Sequence, residues 1–123
     1  MNRHKELKVW QESIEFVSAV YSFTKAFPKE ELYGITSQLN RASVSITANI
    51  VEGAGRNSNK EFVQFLGISM GSCAEVETLL IISEKQGFIS KENFEEIVKK
   101  LNQIQNMLFR LQEAIKEKYK QSA

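Results

Sequence analysis

Apolar residues recur along this chain at steps of three and four, and no stretch alternates with the period of two that marks a strand. The first run predicts a helix over about 5–27. Leu7, Trp10, Ile14, Val17, Tyr21 and Thr24 form a heptad-like seam, and Val9, Phe16, Val20, Phe23 and Phe27 widen the apolar face beyond what one neighbour covers. Pro28 stops this helix, because it lacks an N–H and restricts the residue before it. The second run, over about 35–53, puts Ile35, Leu39, Ala42, Ile46 and Ile50 on one face, with Val44 and Val51 off it. A polar stripe of Gln38, Arg41, Ser45, Asn49 and Glu52 runs beside that face at the same spacing.

A third helix is predicted over about 59–86. Ser58-Asn59-Lys60-Glu61 fits the capping box, in which a serine oxygen accepts an early N–H and a glutamate reaches back. Phe62, Phe65, Leu66, Ser69, Cys73, Val76, Leu80 and Ser83 follow at helical spacing, and Gly87 closes the run. Gly67 and Gly71 lie inside it. Each costs about 1 kcal/mol against alanine, which points to close approach of another backbone. The fourth helix, over about 90–118, is capped by Ser90. It carries the cleanest row, Phe94, Ile97, Leu101, Ile104, Leu108, Leu111 and Ile115. Short connections make neighbouring helices antiparallel, so the expected fold is all-α, a single up-down-up-down four-helix bundle over residues 1–123.

The stretch Asn49-Ile-Val-Glu-Gly-Ala-Gly-Arg-Asn-Ser-Asn-Lys60 has the look of a phosphate cradle. A P-loop needs G-x-x-x-x-G-K-[ST] between a strand and a helix, and this stretch follows a helix with the wrong spacing. A dinucleotide fingerprint fails for want of a third glycine. Gly53 and Gly55 read more simply as the end of one helix and a turn into the next. The alternative is an anion held by the free N–H groups of the third helix with Arg56 and Lys60.

Chemistry is sparse elsewhere. Cys73 is the single cysteine and reads as a buried structural thiol, His4 is the single histidine, and every acid is a glutamate. A histidine-based triad, a zinc site or a di-iron site with Glu-x-x-His motifs therefore lacks its parts. No catalytic residue, metal or cofactor is expected, and no small-molecule substrate. No run of apolar residues approaches the roughly 18 that a membrane helix needs. The first residues lack a signal-peptide pattern, so a cytoplasmic protein that avoids membranes is expected.

Net charge is +1, too balanced for a dedicated nucleic-acid binder. Its distribution is more informative. In an antiparallel bundle one end gathers Arg3, Lys5, Lys8, Arg56, Lys60, Lys116, Lys118 and Lys120, diluted by Glu6, Glu61, Glu113 and Glu117. The other end holds Glu30, Glu31, Glu84, Glu92, Glu95 and Glu96. Of these cations, Arg56, Lys60, Lys116, Lys118 and Lys120 are the candidate phosphate contacts, with an ordinary solvated helix end as the plainer reading. Val9, Phe16, Phe23, Val44 and Val51 exceed what one bundle core covers, which points to self-association.

The block from Gln38 to Leu80 resembles the four-helix-bundle family of 23S rRNA intervening-sequence proteins. Its pattern Q-x-x-R-A-x-x-S-I-x-x-N-I-x-E-G is met by Gln38, Arg41, Ala42, Ser45, Ile46, Asn49, Ile50, Glu52 and Gly53. R-x-S-x-x-E-F and G-S-x-x-E are met by Arg56, Ser58, Glu61, Phe62, Gly71, Ser72 and Glu75. The likeness extends over about 5–115. It implies a small bacterial four-helix bundle that assembles as a ring-like homo-oligomer, a pentamer, with no agreed activity. A related branch, the accessory variability proteins of diversity-generating retroelements, binds a reverse transcriptase and nucleic acid through a strongly basic surface. This near-neutral chain departs from that branch.

Antiparallel second and third helices bring Arg41 near Glu75. The expected polar network is an Arg41–Glu75 ion pair, with Glu77 as second partner and Gln38, Ser45, Asn49 and Ser72 satisfying neighbouring groups. A partly solvated helix face is the alternative. The function expected from all this is a non-enzymatic homo-oligomer that binds RNA or a ribonucleoprotein through a basic end. The alternative is a protein-binding oligomeric scaffold with no nucleic-acid role.

Overall fold

The computed structural model describes His4 and residues 7–122, with side chains to Lys118. Four helices pack in the order of the chain: α1 (Lys8–Thr24), α2 (Ile35–Ala54), α3 (Asn59–Lys85) and α4 (Lys91–Ser122). Each helix packs on the next and α4 returns to α1, so α1 and α3 lie diagonally across the core. A single 3-10 turn, Lys29–Glu31, follows Pro28 and leads into α2.

Local chemistry explains the ends. Ser58 is extended at φ −129° and its Oγ accepts the Glu61 N–H at 3.2 Å, while its hydroxyl donates to Glu61 Oε2 at 3.1 Å. Past the end of α3 the chain turns through Gly87 at φ 78°, the left-handed region where glycine carries no Cβ penalty. The Phe88 N–H then reaches Ser83 O at 2.9 Å and the Gly87 N–H reaches Glu84 O at 3.0 Å, the Schellman pairing. Phe88 thereby packs on Phe27, ring centroids 5.7 Å apart, and ties the α3–α4 turn to the segment after α1. Ser90 Oγ accepts the Asn93 N–H at 3.1 Å and starts α4.

Leu39, Ile46 and Ile50 of α2, Leu66, Val76 and Leu80 of α3, and Ile97, Leu101, Ile104 and Leu108 of α4 fill the core. On α1 the buried row is Val9, Ser13, Phe16, Val20 and Thr24. The expected seam is thus displaced, since Ile14 and Tyr21 face outward. Val9 and Phe16, expected to lie on a surface for self-association, are in the core. Both rows fit the helical period, and packing against α2 and α4 buries the one that carries Val9, Phe16 and Val20.

Two other expectations change. Gly71 is exposed with nothing within 4 Å of a Cβ built there, and a Cβ on Gly67 would meet only the Gln112 amide at an ordinary 3.6 Å. Neither marks a close approach within the chain. α3 is also long and apolar enough to cross a membrane by length and composition, with a mean hydropathy of 1.6 over its best window. Leu66, Ile68, Val76 and the Leu79–Ile82 run raise that value, while Glu75 and Glu77 interrupt the apolar run. In the bundle α3 packs between α2 and α4, and Ser69 and Ser83 on its buried side donate to backbone carbonyls.

Candidate functional site

Two places hold the residues singled out in the sequence: the corner between α2 and α3, and the seam between those helices. At the corner α2 continues through Gly53, so this glycine is not a turn residue. A Cβ there would lie 2.8 Å from Phe65 Cβ and 2.9 Å from Phe62 Cδ1, so its absence lets α3 approach. Gly55 caps α2 in the ordinary right-handed region, φ −86° and ψ −3°. Arg56 donates to Glu52 Oε2 at 3.2 Å, and its guanidinium carbon sits 4.7 Å from the centre of the Phe65 ring. The stretch that looked like a cradle is a packed corner, with its arginine held by a carboxylate and an aromatic face.

The corner shares its end of the bundle with the start of α1 and the last turns of α4. Leu7, Asn59, Phe62, Leu111, Ile115 and Lys118 line one open cleft of ≈ 330 Å³ there. Lys8, Lys60 and Lys118 are exposed and without an ion pair among the described residues. Lys116 lies 3.8 Å from Glu113. Arg3, Lys5 and the Lys120 side chain lie outside the described residues.

The seam is only partly as expected. Ser45 and Ser72 hydroxyls meet at 2.9 Å, and the Asn49 amide donates to Ser45 O at 2.8 Å and Ser45 Oγ at 3.0 Å. Arg41 and Glu75 do not form the expected ion pair, and both are exposed. Gln38 is exposed and Glu77 half-buried, neither joined to the network. The reason is rotational: Ser45 and Ser72 point along the helix–helix contact, whereas Arg41 and Glu75 lie a fraction of a turn further out, where water solvates them.

Sequence reasoning missed a second set of stitches. The Thr47 hydroxyl donates to Ser13 Oγ at 2.8 Å, and Thr24 donates to Asn40 Oδ1 at 3.0 Å, both between α1 and α2. Ser69 donates to Ile46 O at 2.8 Å between α2 and α3. Ser13 lies in step with Val9, Phe16 and Val20, and that spacing was the available signal.

Burial pushes the Cys73 thiol up to about 12, so it stays protonated and unreactive near neutrality. Among the described residues no group of three or more histidine, cysteine or acidic side chains converges.

Four antiparallel helices around one apolar core, with hydroxyl-lined seams and a cation-bearing end, define a four-helix-bundle protein. Residues 5–110 match the 23S rRNA-intervening sequence protein family, and the chain belongs to that family. It is also similar to a crystal structure of a protein of unknown function from the S23 ribosomal protein family of Bacteroides thetaiotaomicron. The TM-score is 0.78 at 25% identity, over 84% of this chain and 96% of that one. No curated protein matches the chain.

Proposed function

We propose that this protein is a non-enzymatic, cytoplasmic homo-oligomer, a pentameric ring, that binds RNA or a ribonucleoprotein through the bundle end carrying the α2–α3 corner. The observation behind this reading is the gathering of Lys8, Arg56, Lys60, Lys116 and Lys118 at one end, three of them without an ion pair among the described residues. Repeated around a ring, such an end becomes a cationic rim that meets phosphates in a salt-dependent, sequence-tolerant way. The family's name links it to ribosomal RNA, which makes structured RNA the first ligand to test. Arg56 contributes the edge of its guanidinium not turned to Glu52.

The test is a titration of labelled structured RNA with the purified protein at low and near-physiological salt, with duplex DNA as control. Binding that falls steeply with salt and weakens when Lys60, Lys116 and Lys118 are neutralised supports the reading. Absence of binding at low salt favours a protein-binding oligomeric scaffold with no nucleic-acid role.

A further inference from the structure

The bundle leaves apolar surface uncovered in two places that differ in shape. One is a groove of ≈ 150 Å³ between α1 and α2, lined by Ile14, Val17, Val44 and Thr47. Ile14 is 40% exposed and Val44 42%. The other is the outward ridge of α3, where Ile68 is 52% exposed and Ile82 43%. Glu75 lies midway between those isoleucines, and Gly71 leaves the ridge open beside it. Single exposed apolar residues are ordinary on a protein surface, but a groove and a ridge of matching character are not.

Their heights match as well. The Thr47–Ser13 hydrogen bond sets α1 level with α2, and the Ser69–Ile46 bond sets α2 level with α3. Ile14 of the groove and Ile68 of the ridge therefore stand at the same height along the bundle. Seven residues on, about 10.5 Å further along each helix, come Tyr21 and Glu75. Arg41 faces that level from α2, in keeping with the Thr24–Asn40 bond just above it. α1 and α3 run in the same direction, since both are antiparallel to α2. Arg41 and Glu75 carry opposite charges, and neither forms an ion pair among the described residues.

We propose that a second copy of this chain lays its α3 ridge in the α1–α2 groove, with Ile68 against Ile14 and Val44 and Glu75 against Arg41. The inference rests on the homo-oligomer reading above and specifies its interface. The axes of the two copies stay parallel. Because groove and ridge are already level, the contact needs no shift along the axis. A head-to-tail contact repeated without such a shift stays in one plane and closes into a ring when its rotation divides the circle, whereas one with a shift grows into a filament. Parallel axes also put every α2–α3 corner, and so every cationic end, on the same side of the assembly. The oppositely charged pair sets the register, and Gly71 lets the neighbouring helices come close.

The experiment is sedimentation of the wild type, Ile68→Glu and Val44→Glu at micromolar concentration, each alone and the two variants mixed in equal amounts. Both positions are exposed in the single chain, so helical circular dichroism is expected to stay as in the wild type. Each variant alone should lose assembly and sediment as a monomer. The mixture should give a heterodimer and nothing larger, because one partner keeps an intact groove and the other an intact ridge. Arg41→Glu and Glu75→Arg extend the same logic through charge: each alone weakens assembly, and mixing them restores every contact between unlike copies, all but one in a ring of five, which a pair within one chain would not do. Variants that assemble like the wild type, or a mixture that stays monomeric, overturn the assigned faces while leaving the homo-oligomer standing. A wild type that is itself monomeric overturns both.

Discussion

α4 and α2 solve the same packing problem in different ways. α4 presents an apolar row, Ile97, Leu101, Ile104, Leu108 and Ile115, all buried. α2 buries Thr36, Ser43 and Gly53 among its aliphatic residues and is stitched on both sides. Toward α1 it uses the Ser13–Thr47 and Thr24–Asn40 bonds, and toward α3 the Ser45–Ser72 and Ser69–Ile46 bonds. An apolar row is non-directional and tolerates sliding, so α4 supplies burial. Hydroxyl pairs work only at one register, so α2 sets the heights of its two neighbours. α2 thus adds register to the burial of Leu39, Ile46 and Ile50, while α4 contributes mainly burial, with the Gln112 amide donating to Val63 O on α3 at 3.1 Å.

The largest expected effect falls on α4. Leu108→Ala should lower stability by about 2–5 kcal/mol in urea unfolding, through lost transfer energy and the cavity left behind. A loss below 1 kcal/mol would mean that α4 is not the burial helix. On α2, Gly53→Ala should be destabilising by about 1–3 kcal/mol, because the new Cβ meets Phe65 and Phe62. The same change at Gly71, measured in the monomeric Ile68→Glu background, should stabilise by about 1 kcal/mol, as helix propensity predicts in open space. Equal signs at the two glycines would remove the claim that Gly53 marks a close approach. Thr36→Val should raise stability by about 1 kcal/mol, since the Thr36 hydroxyl is buried without a hydrogen-bond partner. Calorimetry would detect it as a small rise in melting temperature.

The smallest effect is one of pH. The Cys73 thiol ionises near 9.0 when unfolded and is pushed up to about 12 in the fold by burial. Between those values the folded chain holds the proton more firmly, so stability is unchanged up to about pH 9 and falls as pH rises beyond it. Cys73→Ala should flatten that fall relative to wild type in denaturant titrations between pH 8 and 10. Identical slopes would show that the thiol is not shielded as its burial implies.

The corner between α2 and α3 shows how far sequence carried the candidate site. Ser58 and Glu61 announced the start of α3 by type and spacing, and Glu52 and Arg56 lie four apart, the spacing of a helical ion pair. What could not be read was Phe65 beneath the guanidinium, because that contact joins two helices across a turn. Arg41 failed differently. Its opposite number on α3 was identified, yet the two side chains face water instead of each other.

By itself, the sequence determined four helices, the serine caps of α3 and α4, the left-handed turn at Gly87 and the buried row of α4. These follow from hydrogen bonds and sterics within a few residues, or from one period with no rival. Tertiary structure alone decided which of two apolar rows on α1 turned inward, why Gly53 must lack a side chain, and which hydroxyls met. Each of those depends on a second helix at a definite distance and rotation. A periodic pattern specifies a face only to within about one residue step, roughly 100° of turn.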